Sequence, residues 1–114
     1  MLNSAYNYSF KNDNKDTKEN VMELTIHHDS AAKEFVTIID GQKATLKYSV
    51  INATTWDYYS TFVPNALRGR QIGQTLIKYA LNYAKSNQLK IIPSCSFVKK
   101  WIQAHPDYQS LIAE

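Results

Sequence analysis

Apolar and polar positions alternate with period two through the first half of the chain and recur with helical period through the second. "MELTIHH" reads as an edge strand. "EFVTII" and "QKATLKYSVI" then flank Asp40-Gly41, a pair suited to a two-residue type I′ turn because both central residues need positive φ. In the second arm Ala44, Leu46, Tyr48 and Val50 alternate with Lys43, Thr45, Lys47 and Ser49, which predicts one buried face and one wet face. "TTWDYYSTFV", β-branched and aromatic, predicts another strand, ended by Pro64-Asn65. Ile72, Leu76, Ile77, Ala80, Leu81 and Ala84 then recur at helical spacing, predicting an amphipathic helix over about 71–86. "NQLKIIP" predicts a turn and a short apolar strand, and Ser94 or Ser96 caps a second helix running to about Gln103. His105-Pro106 interrupts that helix, and residues 107–112 add a final turn or two.

The order predicts a single α/β (α+β) domain over residues 21–114: a mixed, mostly antiparallel sheet with a crossover helix and a C-terminal helix. Residues 1–20, rich in Asn, Lys and Asp, read as a mobile, disordered extension. No apolar run reaches membrane-spanning length, and the N-terminus lacks the basic start and apolar core of a secretory signal. The one cysteine, Cys95, cannot form an internal disulfide, which fits a reducing cytoplasm.

Charge sharpens this picture. Between Tyr58 and Pro106 there is no Asp or Glu, while Arg68, Arg70, Lys78, Lys85, Lys90, Lys99 and Lys100 all fall there. Such a half-chain attracts an anion. The cations are dispersed and no nucleic-acid reader motif accompanies them, which argues against a nucleic-acid partner. His27 and His28, adjacent on a strand, face opposite sides, so no metal site is expected.

The charge concentrates where "VPNALRGRQIGQTLIKYALNYA" joins an arginine-glycine loop to the helix. Free backbone N–H groups and the dipole of a helix start favour an anion, glycines allow close approach, and arginines add charge-assisted hydrogen bonds. The loop is not a Walker A motif, since Gly69 to Gly73 is one residue short and Gln74 replaces the lysine. Nor does it have the three glycines of a dinucleotide-binding fingerprint.

Arg68-Gly69-Arg70-Gln71-Ile72-Gly73 resembles the [RQ]-x-x-G-x-[GA] loop of the GNAT acetyltransferase superfamily. The wider segment is similar to the small single-domain subgroup, which reads T-x-V-P-x-x-L-R-G-x-G-I-G, then P-x-C-S-[FY]-V, then H-P-[ED]-Y. "EFVTIIDGQKATLKYSV" matches that subgroup's hairpin, so the resemblance covers roughly residues 23–112. It implies the minimal GNAT fold and acetyl-CoA (coenzyme A) as the donor. Arg68, Gly69, Arg70, Gln71, Ile72 and Gly73 would hold the pyrophosphate, and the backbone of Val63 would align the pantetheine arm. It further implies Cys95 as the catalytic residue. Two positions depart from the pattern: Gln71 stands where the family usually has glycine, and Ser60 where the subgroup often has histidine.

Cys95 also has a chemical argument of its own. It falls near the start of a helix, a place that raises a thiol's thiolate fraction, and Lys99 follows one turn later. A thiolate beside a bound thioester can take the acetyl group and pass it on. The resulting expectation is transfer of acetyl from acetyl-CoA to a small-molecule or protein amine. The competing expectation is a non-catalytic acyl-CoA-binding or protein-interaction module on the same fold.

Overall fold

The computed structural model describes the backbone of residues 4–11 and 21–113 and the side chains of residues 24–113. Five strands follow one another: β1 (Ser4–Lys11), β2 (Val21–Asp29), β3 (Glu34–Ile39), β4 (Gln42–Asn52) and β5 (Thr55–Phe62). A 3-10 turn (Asn65–Leu67) leads to α1 (Ile72–Ser86), and β6 (Lys90–Ile92), α2 (Ser96–Ala104) and a second 3-10 segment (Pro106–Leu111) complete the order. The strands form one sheet in the order β1-β2-β3-β4-β5-β6. Successive pairs from β1 to β5 are antiparallel. β6 returns parallel to β5 because α1 carries the chain back between them.

The hairpin expected at Asp40-Gly41 is present, with φ of 53° and 74° at its two central residues. Two expectations about the first part of the chain are corrected. Ser4–Lys11, assigned by composition to a mobile extension, is strand β1, paired with β2 from Ser4↔His28 to Lys11↔Val21. The alternation of Tyr6, Tyr8 and Phe10 with Asn7, Ser9 and Lys11 is a period-two signal that the surrounding polar composition hid. The rest of that extension, residues 1–3 and 12–20, lies outside the described residues. With β1 beside it, β2 is an interior strand rather than an edge.

The predicted faces of β4 hold in its first half and fail at its end. Ala44, Leu46 and Tyr48 are buried, but Val50 is exposed. The β4–β5 register shifts between Lys47 and Tyr48 and again between Val50 and Asn52, which rotates the strand end away from the core. Thr45, predicted wet, is buried, because it sits mid-sheet between Val36 on β3 and Phe62 on β5.

α1 lays Ile72, Leu76, Ile77, Ala80, Leu81 and Ala84 into one core with Ile26, Phe35, Ala44, Leu46 and Tyr58 from the sheet. Burying each large aliphatic side chain stabilises by about 1.5–3 kcal/mol. The buried Tyr58 hydroxyl donates to the Ala80 carbonyl at 2.7 Å, fixing β5 against the middle of α1. Val98 and Ile102 bring α2 into the same core. Tyr108, just beyond α2, donates to Asn82 Oδ1 at 3.1 Å and so ties the C-terminal segment to α1.

Nearer the end of α1, His28 is buried in an aromatic cluster. Its ring stacks on Phe35 at 4.5 Å, and its Nε2 lies 2.6 Å from the Tyr48 hydroxyl. Tyr48 in turn stacks on Trp56 at 4.2 Å. Burial holds the His28 pKa below its ordinary value and pushes the Tyr48 phenol up to about 12. His27, its neighbour, is exposed on the opposite face.

Candidate acyl-donor site

The parallel ladder between β5 and β6 has three rungs, Thr55↔Lys90, Trp56↔Ile91 and Asp57↔Ile92. Pro93 then turns the chain away, and one further bond, from Cys95 N–H to the Tyr58 carbonyl at 3.0 Å, ends the contact. Beyond this fork β5 pairs only with β4, so its other edge is open from Ser60 onward. The arginine-glycine loop and the start of α1 close the far end of the opening. The resulting cavity, of about 330 Å³, is lined by Thr61 and Val63 from the strand side, Arg68, Gly69, Gln71 and Gly73 from the loop, and Phe97 from α2.

The loop's backbone explains its composition. Gly69 has φ of 82°, a conformation that favours glycine. Gln71, the N-cap of α1, sits in the left-handed region at φ 62° and ψ 22°. Glycine is the ordinary residue for such a backbone, so the conformation accounts for the family's preference at this position. The Gln71 carbonyl accepts from the Thr75 N–H at 3.1 Å and from the Thr75 hydroxyl at 2.8 Å, which holds the first turn without a side-chain cap. Gly73 is closely packed: a Cβ there would lie 2.8 Å from Cε2 of the exposed Phe97 ring, which would have to shift, and 3.3 Å from Val63 Cγ2.

Arg68 Nε donates to the Val63 carbonyl at 3.1 Å, which fixes the loop to the strand end and leaves both terminal nitrogens of the guanidinium for an anion. It also occupies the Val63 carbonyl, one of the main-chain groups expected to align the donor's arm. Arg70 points elsewhere: its Nη1 is 3.7 Å from Asp40 Oδ2 in the hairpin turn, an exposed pair of little energetic weight. Ile72 is buried under the helix start and contributes backbone alone.

Cys95 is the N-cap of α2, one residue before the helix, where Ser94 or Ser96 was expected. No side chain caps this helix start; the Cys95 carbonyl accepts from Lys99 N–H at 2.9 Å. Its half-buried thiol donates to the Thr61 hydroxyl at 3.5 Å, and Thr61 lines the cavity. Thus the structure sets Cys95 behind Thr61, one residue away from the opening lined by Val63 and the loop, though not in its lining.

One residue missed in the sequence stands at the same fork. Asp57 forms the last rung of the parallel ladder, and its Oδ1 is buried without a hydrogen-bond partner. Its neighbours Trp56 and Tyr58 both pack toward α1, so alternation sends Asp57 to the other face of the sheet. A lone acidic residue at the end of an acid-free stretch was the available signal.

With loop, fork and thiol in place, the comparison with known proteins becomes decisive. The profile of the GCN5-related N-acetyl-transferase family matches residues 34–111. The chain belongs to that family. Its relatives include Protein NATD1 of Danio rerio, 32% identical over 90 residues that cover 77% of this chain and 82% of that protein. Protein NATD1 of Homo sapiens is 29% identical over 85 residues, covering 73% of this chain and 75% of its own. The solution NMR structure of a GCN5-like protein from Staphylococcus aureus superposes with a TM-score of 0.59 at 28% identity, covering 71% of this chain and 81% of that one. The mixed sheet with its crossover helix is therefore the fold of this family.

Proposed function

We propose that this protein binds acetyl-CoA in the fork between β5 and β6 and transfers its acetyl group to an amine. The observation that carries the reading is the cavity itself: an open strand edge leads straight to a helix start beside Arg68. The pyrophosphate sits on the loop from Arg68 to Gly73, and the pantetheine arm lies along the open edge of β5. The thioester then lies in the fork, near the Cys95 thiol that bonds the cavity-lining Thr61.

In this reading the Cys95 thiolate attacks the acetyl carbonyl, the bond to the CoA sulfur breaks, and CoA leaves as a thiolate that takes up a proton. The acceptor amine then attacks the acetyl-cysteine and regenerates the Cys95 sulfur. Asp57, whose buried oxygen has no other partner, accepts the proton released by the amine. The acceptor is a small-molecule or protein amine, and the free thiol fits the reducing cytoplasm. No helix of the described residues is long and apolar enough to cross a membrane.

The second reading, an acyl-CoA-binding or protein-interaction module without turnover, has its own support. Arg68 already occupies the Val63 carbonyl, and the Phe97 ring lies against Gly73 in the mouth of the cavity. Calorimetric titration with acetyl-CoA, beside a Gly73→Glu variant checked for an unchanged fold by circular dichroism, tests the site. Binding by the parent chain and its loss in the variant is expected; no binding by the parent overturns the proposal. Release of free CoA with a mixed amine pool, above the rate without acceptor, separates the enzyme from the module.

A further inference from the structure

The chain covers one edge of its sheet and leaves the other open. At the β6 edge the C-terminal segment lies alongside: Ile112 forms a parallel bridge to Ile91, the Ala113 N–H donates to the Ile91 carbonyl at 2.9 Å, and Lys90 Nζ donates to the Ser110 carbonyl at 2.7 Å. At the opposite edge stands β1, and among the described residues it pairs with β2 alone. Alternate residues of an antiparallel strand direct their main-chain groups to opposite sides, so every second residue of Ser4–Lys11 presents its N–H and C=O away from β2. Natural edges are commonly guarded by a proline, a bulge or a charge. β1 has no proline, its pairing with β2 runs from Ser4 to Lys11 without a register shift, and its one charge, Lys11, stands at its last position.

We propose that this edge pairs with β1 of a second copy of the chain, antiparallel about a twofold axis at Tyr8, so that two sheets continue into one. The strand's own sequence selects the occupant. Residues directly opposite each other across an antiparallel pair share a face, so the register must match the alternation of both strands. With the axis at Tyr8, Tyr8 meets Tyr8, Tyr6 meets Phe10, Asn7 meets Ser9 and Lys11 meets Ala5. Aromatic positions then oppose aromatic ones, polar positions oppose polar ones, and no two charges oppose. A slip of one residue sets every aromatic position against the other class. The strand is therefore its own complement, which an isologous interface requires. An edge pair of this length is smaller than the interface of a permanent dimer, so the dimer exchanges reversibly with the monomer. The fork between β5 and β6 lies at the far side of the sheet, so the dimer leaves it open and the inference does not rest on the acyl-donor reading.

Sedimentation equilibrium of the full chain over a dilution series tests the proposal, with hydrogen exchange read by mass spectrometry at the same concentrations. The expected result is a reversible rise from the chain mass of 13.1 kDa toward twice that value, with residues 4–11 gaining protection as the dimer forms. Joint substitution of Asn7→Lys and Ser9→Lys sets lysine against lysine across the axis, while within the chain the two positions pair with Thr25 and Glu23, neither of them a cation. It should raise the dissociation constant of the dimer at least about tenfold and leave the unfolding midpoint of dilute protein unchanged. If the double variant unfolds earlier, the protection of residues 4–11 in the parent chain decides alone. A chain that stays monomeric up to its limit of solubility overturns the proposal. So does a dimer that a stably folded double variant keeps at full strength, or protection that gathers on β5 past Tyr58 instead of on β1.

Discussion

The backbone at Gln71 yields a prediction that needs no ligand. A residue with a Cβ in the left-handed region costs about 1–2 kcal/mol relative to the right-handed one. Gln71 occupies that region at φ 62°, and its side chain makes no capping hydrogen bond. The interactions it does make at the helix start, both from Thr75, go to its carbonyl and survive any substitution. Gln71→Gly removes the conformational cost and returns about 0.4–1 kcal/mol as extra freedom of the unfolded chain. The net expectation is a stabilisation of about 0.5–1 kcal/mol, or a rise in Tm of about 2–5 °C. Urea denaturation followed by circular dichroism should show a higher midpoint at unchanged slope. Gln71→Ala keeps the Cβ and should stay within about 0.5 kcal/mol of the parent. A glycine variant no more stable than the parent would refute the reasoning, since the side chain would then supply something that its geometry does not show.

Two further predictions concern the core. Tyr58→Phe should cost about 0.5–1.5 kcal/mol through loss of the buried bond to the Ala80 carbonyl, read by urea denaturation; an unchanged midpoint would mean that the bond contributes nothing. His28, held below its ordinary pKa by burial, stays neutral in the fold while the unfolded chain takes up a proton near pH 6.5. Stability should thus be level above that pH and fall as pH drops from there toward the folded pKa, below which it levels again. His28→Phe should flatten this slope in denaturation curves measured from about pH 5 to 8, and the same slope in the variant would assign it to another group.

The middle of the chain was legible because its patterns are local. The Asp40-Gly41 turn, the alternation of Ala44, Leu46 and Tyr48, and the helical spacing from Ile72 to Ala84 each specify structure within a few residues. The loop was legible through its arginines and glycines. What escaped depends on partners distant in sequence. β1 exists by pairing with β2, and polar residues around Tyr6, Tyr8 and Phe10 masked its period. The exposure of Val50 comes from register shifts against β5, which no single strand's sequence states. Asp57 became notable only when the rungs on either side of it left its oxygen without a partner. The meeting of Cys95 with Thr61, 34 residues away in sequence, is likewise a product of the fold. Gln71 is the reverse case: the sequence showed a departure from the family's glycine, and the positive φ supplied the reason.

The fork that ends the parallel ladder has a consequence for solubility. Past Tyr58, β5 offers unpaired main-chain groups, and Phe62 beside them is 53% exposed. An open edge of this kind is a template for the strand of another molecule, and nothing in the two arginines or the loop glycines shields its length. An extended amide-bearing arm laid in the fork would pair with the same groups and remove the template. Purification with such a ligand present should therefore yield protein that concentrates further before it self-associates, and light scattering with and without the ligand would measure how far the fork is a liability when empty.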